Sequence, residues 1–157
     1  MQTLELDGRT FTLHRARAGD VPALVDLLAD DVLGREREGA DLAPYESAFA
    51  RIDADENQLL VAVRDETGKI IATLQLTLMH SLSRGGATRL QIEAVRVETS
   101  TRGSGLGGAL FEWAQNWGRE QGATIAQLTT DAARLDAHRF YERLGYTPSH
   151  VGFKRPL

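Results

Sequence analysis

The sequence predicts an α/β domain built on one mixed sheet with helices on both faces. Three observations carry that prediction. A middle block of β-rich stretches joined by turn signals reads as antiparallel strands. A strand, a helix and a further strand follow it, the βαβ order that gives a parallel pair. The 157 residues, 42% hydrophobic and 25% charged, suit one globular domain over 1–157 with a sizeable core.

Residues 4–7 and 10–16 (TFTLHRA) read as strands joined across Gly8. Asp20 stands where a helix cap would, Pro22 falls in the first turn, and apolar residues recur at helical spacing over 21–33. Residues 35–44 form a polar loop, and Pro44 opens a second helix over 44–54. Residues 57–65 and 69–80 flank ETG, a hairpin turn, and SRGGA at 83–87 is another turn before a long strand at 89–98. Then come a glycine loop, a helix over 106–121, a strand over 124–130, a helix over 134–144 and a last extended stretch through 150–154. The order is β-α-α-β-β-β-α-β-α-β.

Composition excludes several functions. The chain has no cysteine, hence no disulfide framework, thiolate metal site or cysteine nucleophile. Its four histidines are dispersed, so no dedicated metal site is expected. A net charge of -4 gives no footprint for nucleic acid. No apolar run is long enough to span a membrane, and the first residues lack a secretory pattern, so a cytoplasmic protein is expected.

The stretch RGSGLGGALFEWAQNWG, residues 102–118, holds five of the chain's fifteen glycines, four of them between Gly103 and Gly108. It lies between a predicted strand and a predicted helix. The first helical turn there leaves backbone N–H groups without partners, and the helix dipole adds positive potential. Glycines permit positive φ and let a ligand approach the backbone. A bare loop before a helix therefore suits an anion, above all a phosphate, although a turn without a ligand would use the same residue type. Read literally, GSGLGG also fits the dinucleotide fingerprint, with Asp131 where a ribose-binding acid would stand. That reading is weakened because only about fifty residues follow the loop and the strand before it is interrupted by charge. No Lys-Ser/Thr ends the glycine run, and Arg102 stands where a hydrolase elbow needs its first glycine.

The strand before the loop changes parity. Leu90 and Ile92 share one alternation, Val95 and Val97 the other. One extra residue near Ala94, a β-bulge, would bring both pairs to one face. A strand buried on both faces would look the same in sequence.

The stretch QIEAVRVETSTRGSGLGGALFEWA resembles the acetyl-CoA-binding core of the GNAT family of N-acetyltransferases. Arg102, Gly105 and Gly107 meet that family's Gln/Arg-x-x-Gly-x-Gly/Ala pattern, and DAHRFYERLGY resembles its closing helix. The resemblance covers most of the chain and is specific over 90–146. Within the family, QLTTDAARLDAHRFYERLGYTPSH resembles the bacterial aminoalkylphosphonate N-acetyltransferases.

The resemblance implies acetyl-CoA as cosubstrate and a small-molecule primary amine as acceptor. Backbone N–H groups of Arg102, Gly103, Ser104, Gly105, Leu106, Gly107 and Gly108 would wrap the pyrophosphate. The pantetheine arm would pair with the backbone of Val95 to Val97, Arg96 included, in a gap beside the bulged strand. A backbone N–H near Val95 would stabilise the oxyanion, a contribution typically worth about 3 kcal/mol. Glu93 would act through water as general base, since a free alkyl ammonium with a pKa of about 10.4 is almost wholly protonated at neutral pH. An ion pair with Arg89 or Arg96 is the plainer alternative for Glu93. Tyr141 would touch the coenzyme and protonate the leaving thiolate, although its apolar neighbours also suit a core aromatic. Arg134 replaces an asparagine common in relatives and would meet a coenzyme phosphate, a phosphonate substrate or solvent. His80 would share the cleft or lie in solvent, and His138, one turn before Tyr141, has two open orientations. The acceptor site would draw on 29–41, and Tyr45 and Phe49 would serve as core or lid. Transfer to a protein amine, or an acyl-CoA sensor without chemistry, are the rivals. The apolar ending VGFKRPL permits a homodimer.

Overall fold

The computed structural model describes residues 1–30 and 38–157. Six strands form one sheet in chain order: β1 Gln2–Leu6, β2 Arg9–Arg15, β3 Gln58–Arg64, β4 Ile70–His80, β5 Thr88–Val97 and β6 Ala123–Gln127. Neighbours from β1 to β5 are antiparallel, and β6 runs parallel to β5. The described helices are α1 Val21–Ala29, α2 Ala43–Asp53, the single turn α3 Ser83–Gly86, α4 Leu106–Glu120 and α5 Leu135–Arg143. The predicted first helix and polar loop run partly over 31–37, outside the described residues.

Alternation sorts the side chains onto two faces. On one face Leu74, Leu76, Leu78, Leu90 and Ile92 are closed over by Leu106, Leu110, Phe111 and Ala114 of α4, with Phe140, Tyr141 and Leu144 packed at the edge. On the other, Ala62 and Ile70 meet Val21, Leu24, Val25 and Leu27 of α1 and Phe49 of α2. Helices thus cover both faces, as the sequence predicts. The covering of the second face is partial, because α1 and α2 leave Gln75, Thr77 and Met79 of β4 and Arg89, Gln91 and Glu93 of β5 half-buried or exposed.

Two expectations need correction. Asp20 precedes α1 but makes no side-chain cap bond to it. It is buried, and its carboxylate instead accepts from Arg17 N at 2.9 Å and from Arg64 Nη2 at 2.6 Å, with His14 Nε2 3.3 Å away. A buried carboxylate takes the charged partner over a helical amide that water or a neighbouring turn can satisfy. The strand expected at 150–154 does not form. Pro148 and Pro156 lack backbone donors, and Val151 and Phe153 are 81% and 93% exposed with nothing to bury them.

Candidate active site

β5 is where the sheet breaks its own pattern. Against β4, Thr73 faces Arg96 and Gln75 faces Glu93, so two residues, Ala94 and Val95, oppose Leu74 alone. Ala94 takes a positive φ of 50°. This is a β-bulge. It carries Val95 and Val97 onto the face that already holds Leu90 and Ile92, and resolves the parity change in favour of the bulge. Against β6, pairing runs from Thr88 to Gln91 and stops at Gln91 opposite Gln127. Residues 92–97 thus have no strand on that side. Their backbone borders a gap between β5 and β6.

The glycine loop closes one end of this gap. Gly103 and Gly105 have φ of 87° and 79°, where a side chain is strained. A Cβ on Gly103, Gly105 or Gly108 would meet no atom within 4 Å. The first helical bond of α4 runs from Ala109 N to Gly105 O at 3.1 Å. The N–H groups of Leu106, Gly107 and Gly108 precede that ladder, and Leu106 N reaches only Ser104 Oγ, at 3.4 Å. Ser104 Oγ donates to Thr101 O at 2.8 Å, and Arg102 Nε to Val97 O at 3.1 Å. These bonds fasten the loop to the end of β5. A fifteen-residue helix thus aims open amides and its positive dipole end at bare space. The residues present fit a pyrophosphate bound by backbone groups.

Two glycines of the same stretch do other work. A Cβ on Gly107 would lie 3.5 Å from Phe140 Cζ, so that position also admits α5. Gly118 lies at the far end of α4, and a Cβ there would come within 2.7 Å of Leu90 Cδ2. It lets α4 press on β5 and touches no ligand.

Tyr141 is half-buried on α5. Its ring meets Phe111 edge-on at 5.6 Å, Phe140 at 5.5 Å and Tyr146 at 6.2 Å. Burial raises its pKa above the ordinary tyrosine range, and the Arg134 and Arg96 guanidiniums act against that rise. The ring is therefore packed as a core aromatic is, while two cations from opposite sides of the gap lie within electrostatic reach of it. Arg134 sits at the cap position of α5 and is exposed. His138 Nε2 lies 3.1 Å from Asp131 O and ties the helix to its preceding loop. Asp131 is exposed, and its Oδ1 accepts from Ala133 N at 2.9 Å in the turn before α5.

Glu93 lies next to the bulge, exposed, on the face opposite the core. Its alternative partner Arg89 does not bridge to it; Arg89 Nη1 reaches Gln127 Oε1 at 3.5 Å. Arg96 Nη1 donates to Val95 O at 2.9 Å. His80 is held away from the gap. It faces Thr88 at the start of β5, with Nδ1 3.0 Å from Thr88 Oγ1 and Nε2 3.0 Å from Asn57 Oδ1. Tyr45 donates to Glu38 Oε2 at 2.8 Å and accepts from Gly39 N at 2.8 Å, while Phe49 is core. Among the described residues, no group of three or more side chains could hold a metal ion, and no helix is long and apolar enough to cross a membrane.

Sequence reasoning missed one component, the polar face beside Glu93. Gln75, Thr77, Arg89 and Gln91 alternate with buried leucines, and that alternation was the available signal.

Comparison with known proteins agrees with this geometry. The acetyltransferase (GNAT) family model matches residues 22–146. The aminoalkylphosphonate N-acetyltransferase of Salmonella typhimurium is 32% identical over 120 residues, which cover 74% of this chain and 75% of that protein. A glucosamine 6-phosphate N-acetyltransferase of Trypanosoma brucei brucei is 35% identical over 80 residues, about half of each chain (51% and 52%). A crystal structure described as a transcriptional regulator from Bacillus halodurans superposes with a TM-score of 0.89 at 40% identity, covering 94% of this chain and 99% of that one. The chain is thus a member of the GNAT acetyltransferase family and an N-acetyltransferase.

Proposed function

We propose that the protein transfers acetyl from acetyl-CoA to the primary amine of a small molecule by direct attack. The observation that carries this reading is the coincidence of bulge and gap with the glycine loop. The amides of Gly103 and of Gly105 to Gly108 take the pyrophosphate, since Arg102 N and Ser104 N already donate to Thr99 O and Thr101 O. The edge of Val95 to Val97 that no strand pairs takes the pantetheine arm, displacing the Arg96 and Arg102 side chains from Val95 O and Val97 O. The backbone N–H near Val95, released by the bulge, donates to the thioester carbonyl as negative charge builds on its oxygen. Glu93 lies on the acceptor side and draws the ammonium proton through water. Tyr141, protonated through the neutral range as an ordinary tyrosine is, and the more so for its burial, hands a proton to the leaving thiolate. Arg134 lies at the mouth of the gap and meets coenzyme phosphate.

The acceptor follows from the relatives as a proposal. Aminoalkylphosphonates come from one and glucosamine 6-phosphate from another. The test is thiol release from acetyl-CoA against a panel holding aminomethyl- and aminoethylphosphonate, glucosamine 6-phosphate, amino acids and polyamines. Turnover with any of these supports the reading. Coenzyme binding without turnover favours a second reading, an acyl-CoA sensor, for which the description of the Bacillus halodurans structure as a regulator speaks. We further infer a cytoplasmic protein that pairs through its last residues, because exposed Val151 and Phe153 lie two positions apart, on one face of an extended chain, and suit a strand on a second copy. Truncation after Thr147 is then expected to give a monomer by light scattering.

A further inference from the structure

The face of the sheet that carries Glu93 also carries a cation that forms no ion pair among the described residues. By register, Arg89 stands opposite Met79, Gln91 opposite Thr77 and Glu93 opposite Gln75, all on the side away from the leucine core. Gln127 Nε2 donates to Gln91 Oε1 at 2.7 Å and closes the platform on the β6 side. Arg89 is half-buried there. Its one hydrogen bond is the 3.5 Å contact from Nη1 to the neutral amide of Gln127, and its Nε is buried with no partner. Among the described residues, no carboxylate lies within ion-pair distance of it.

A half-buried guanidinium without a counter-charge costs stability unless something else uses it. Its planar fork suits a carboxylate or phosphate held by two parallel hydrogen bonds. We propose that Arg89 reads an oxyanion group on the acceptor, and that this group is separated from the amine by a spacer of several bonds. This rests on the transferase reading above, in which the amine stands beside Glu93. Glu93 stands four positions along the strand from Arg89, about 13 Å in an extended chain. With Arg89 turned toward Gln127 and not toward Glu93, a one-carbon spacer does not bridge that span. Gln91, midway on the same face, offers its amide to the spacer. The acceptor class is an ω-amino acid, an ω-aminoalkylphosphonate or an amino-sugar phosphate, rather than the shortest aminophosphonate.

The experiment compares wild type with Arg89→Met, using 4-aminobutylphosphonate, 6-aminohexanoate, aminomethylphosphonate and neutral 1-aminopentane. Arg89→Met is expected to raise KM for the long phosphonate or the long carboxylate at least tenfold, and the pair tells which anion is preferred. KM for 1-aminopentane, aminomethylphosphonate and acetyl-CoA should move less than twofold. Melting temperature should hold or rise, since the variant removes an orphaned donor. Equal KM for charged and neutral long amines, or an equal change for all of them, overturns the proposal and leaves the transferase reading intact. If no amine releases thiol, that reading fails, and calorimetry with 4-aminobutylphosphonate on coenzyme A-saturated protein still decides. Binding lost in Arg89→Met supports the anion site, and no binding to wild type overturns it.

Discussion

The two halves of β5 have opposite characters. From Thr88 to Gln91 the strand is paired on both sides, to β4 and to β6, and buries Leu90 under α4. From Ile92 to Val97 it is paired on one side, bulged at Ala94 and open toward the gap. The first half is sheet with a strand on each side, its register to β6 shifting once between Thr88 and Arg89. The second half holds backbone groups that no strand pairs on the gap side; there Val95 O and Val97 O accept from the side chains of Arg96 and Arg102 in place of a strand. The difference teaches where this fold keeps its chemistry. The site is the place where the sheet stops satisfying itself, beside a loop that has been stripped of side chains.

The largest break in that comparison should come from the loop. Gly105 has a left-handed φ, which a β-branched residue resists, and open space where coenzyme phosphate is proposed to sit. Gly105→Val is expected to weaken coenzyme A binding more than about 100-fold while far-ultraviolet circular dichroism stays unchanged; equal affinity in a titration would put the ligand elsewhere. Tyr141→Phe comes next. It keeps the edge-on packing and removes only the hydroxyl, so affinity for coenzyme A should hold while kcat falls about 100-fold. The pH profile gives the sign. Burial raises the pKa of this hydroxyl, so any alkaline limb that belongs to it lies above pH of about 10 and vanishes in the variant. The fold also loses stability above that pH, because unfolding lets the hydroxyl ionise at its ordinary value. Full activity in Tyr141→Phe would return the residue to the core. A smaller effect, about tenfold to 100-fold in turnover, is expected for Glu93→Gln, with the acidic limb of the rate profile displaced. An unmoved limb would remove Glu93 as base.

Much of this contrast was legible beforehand. The parity change between Ile92 and Val95 is a local fact of the sequence, and it narrowed the strand to a bulge or a stretch buried on both faces without any partner strand in view. The glycine cluster pointed to a bare loop at a helix start for the same reason. What pairing does across the chain was not legible. Nothing in residues 92–97 says that β6 ends at Gln127, since that depends on where a strand over thirty residues later turns away. His80, at a strand end, left both the cleft and solvent open, and register places it opposite Thr88, at the far end of β5 from the bulge. The ending 150–154 reads as strand by composition, but its apolar residues find nothing within the chain to pack on. Composition reports what a segment can do, and only the fold supplies the partner.

The smallest effect sharpens the comparison from the closed half. Gly118 belongs to the same glycine-rich stretch as Gly105 but serves packing, because Leu90 occupies the space where its Cβ would be. Leu90 is 1% exposed and cannot move aside into solvent. Gly118→Ala therefore gains helix propensity, worth about 1 kcal/mol, against an overpacking penalty of about 1–3 kcal/mol. The net expectation is a melting temperature lower by a few degrees, with coenzyme A affinity and KM for acetyl-CoA unchanged. Melting at or above the wild-type temperature would mean that α4 can lift off β5 at no cost. If affinity fell as well, the two halves of β5 would be coupled, and the division between a packed end and a binding end would fail.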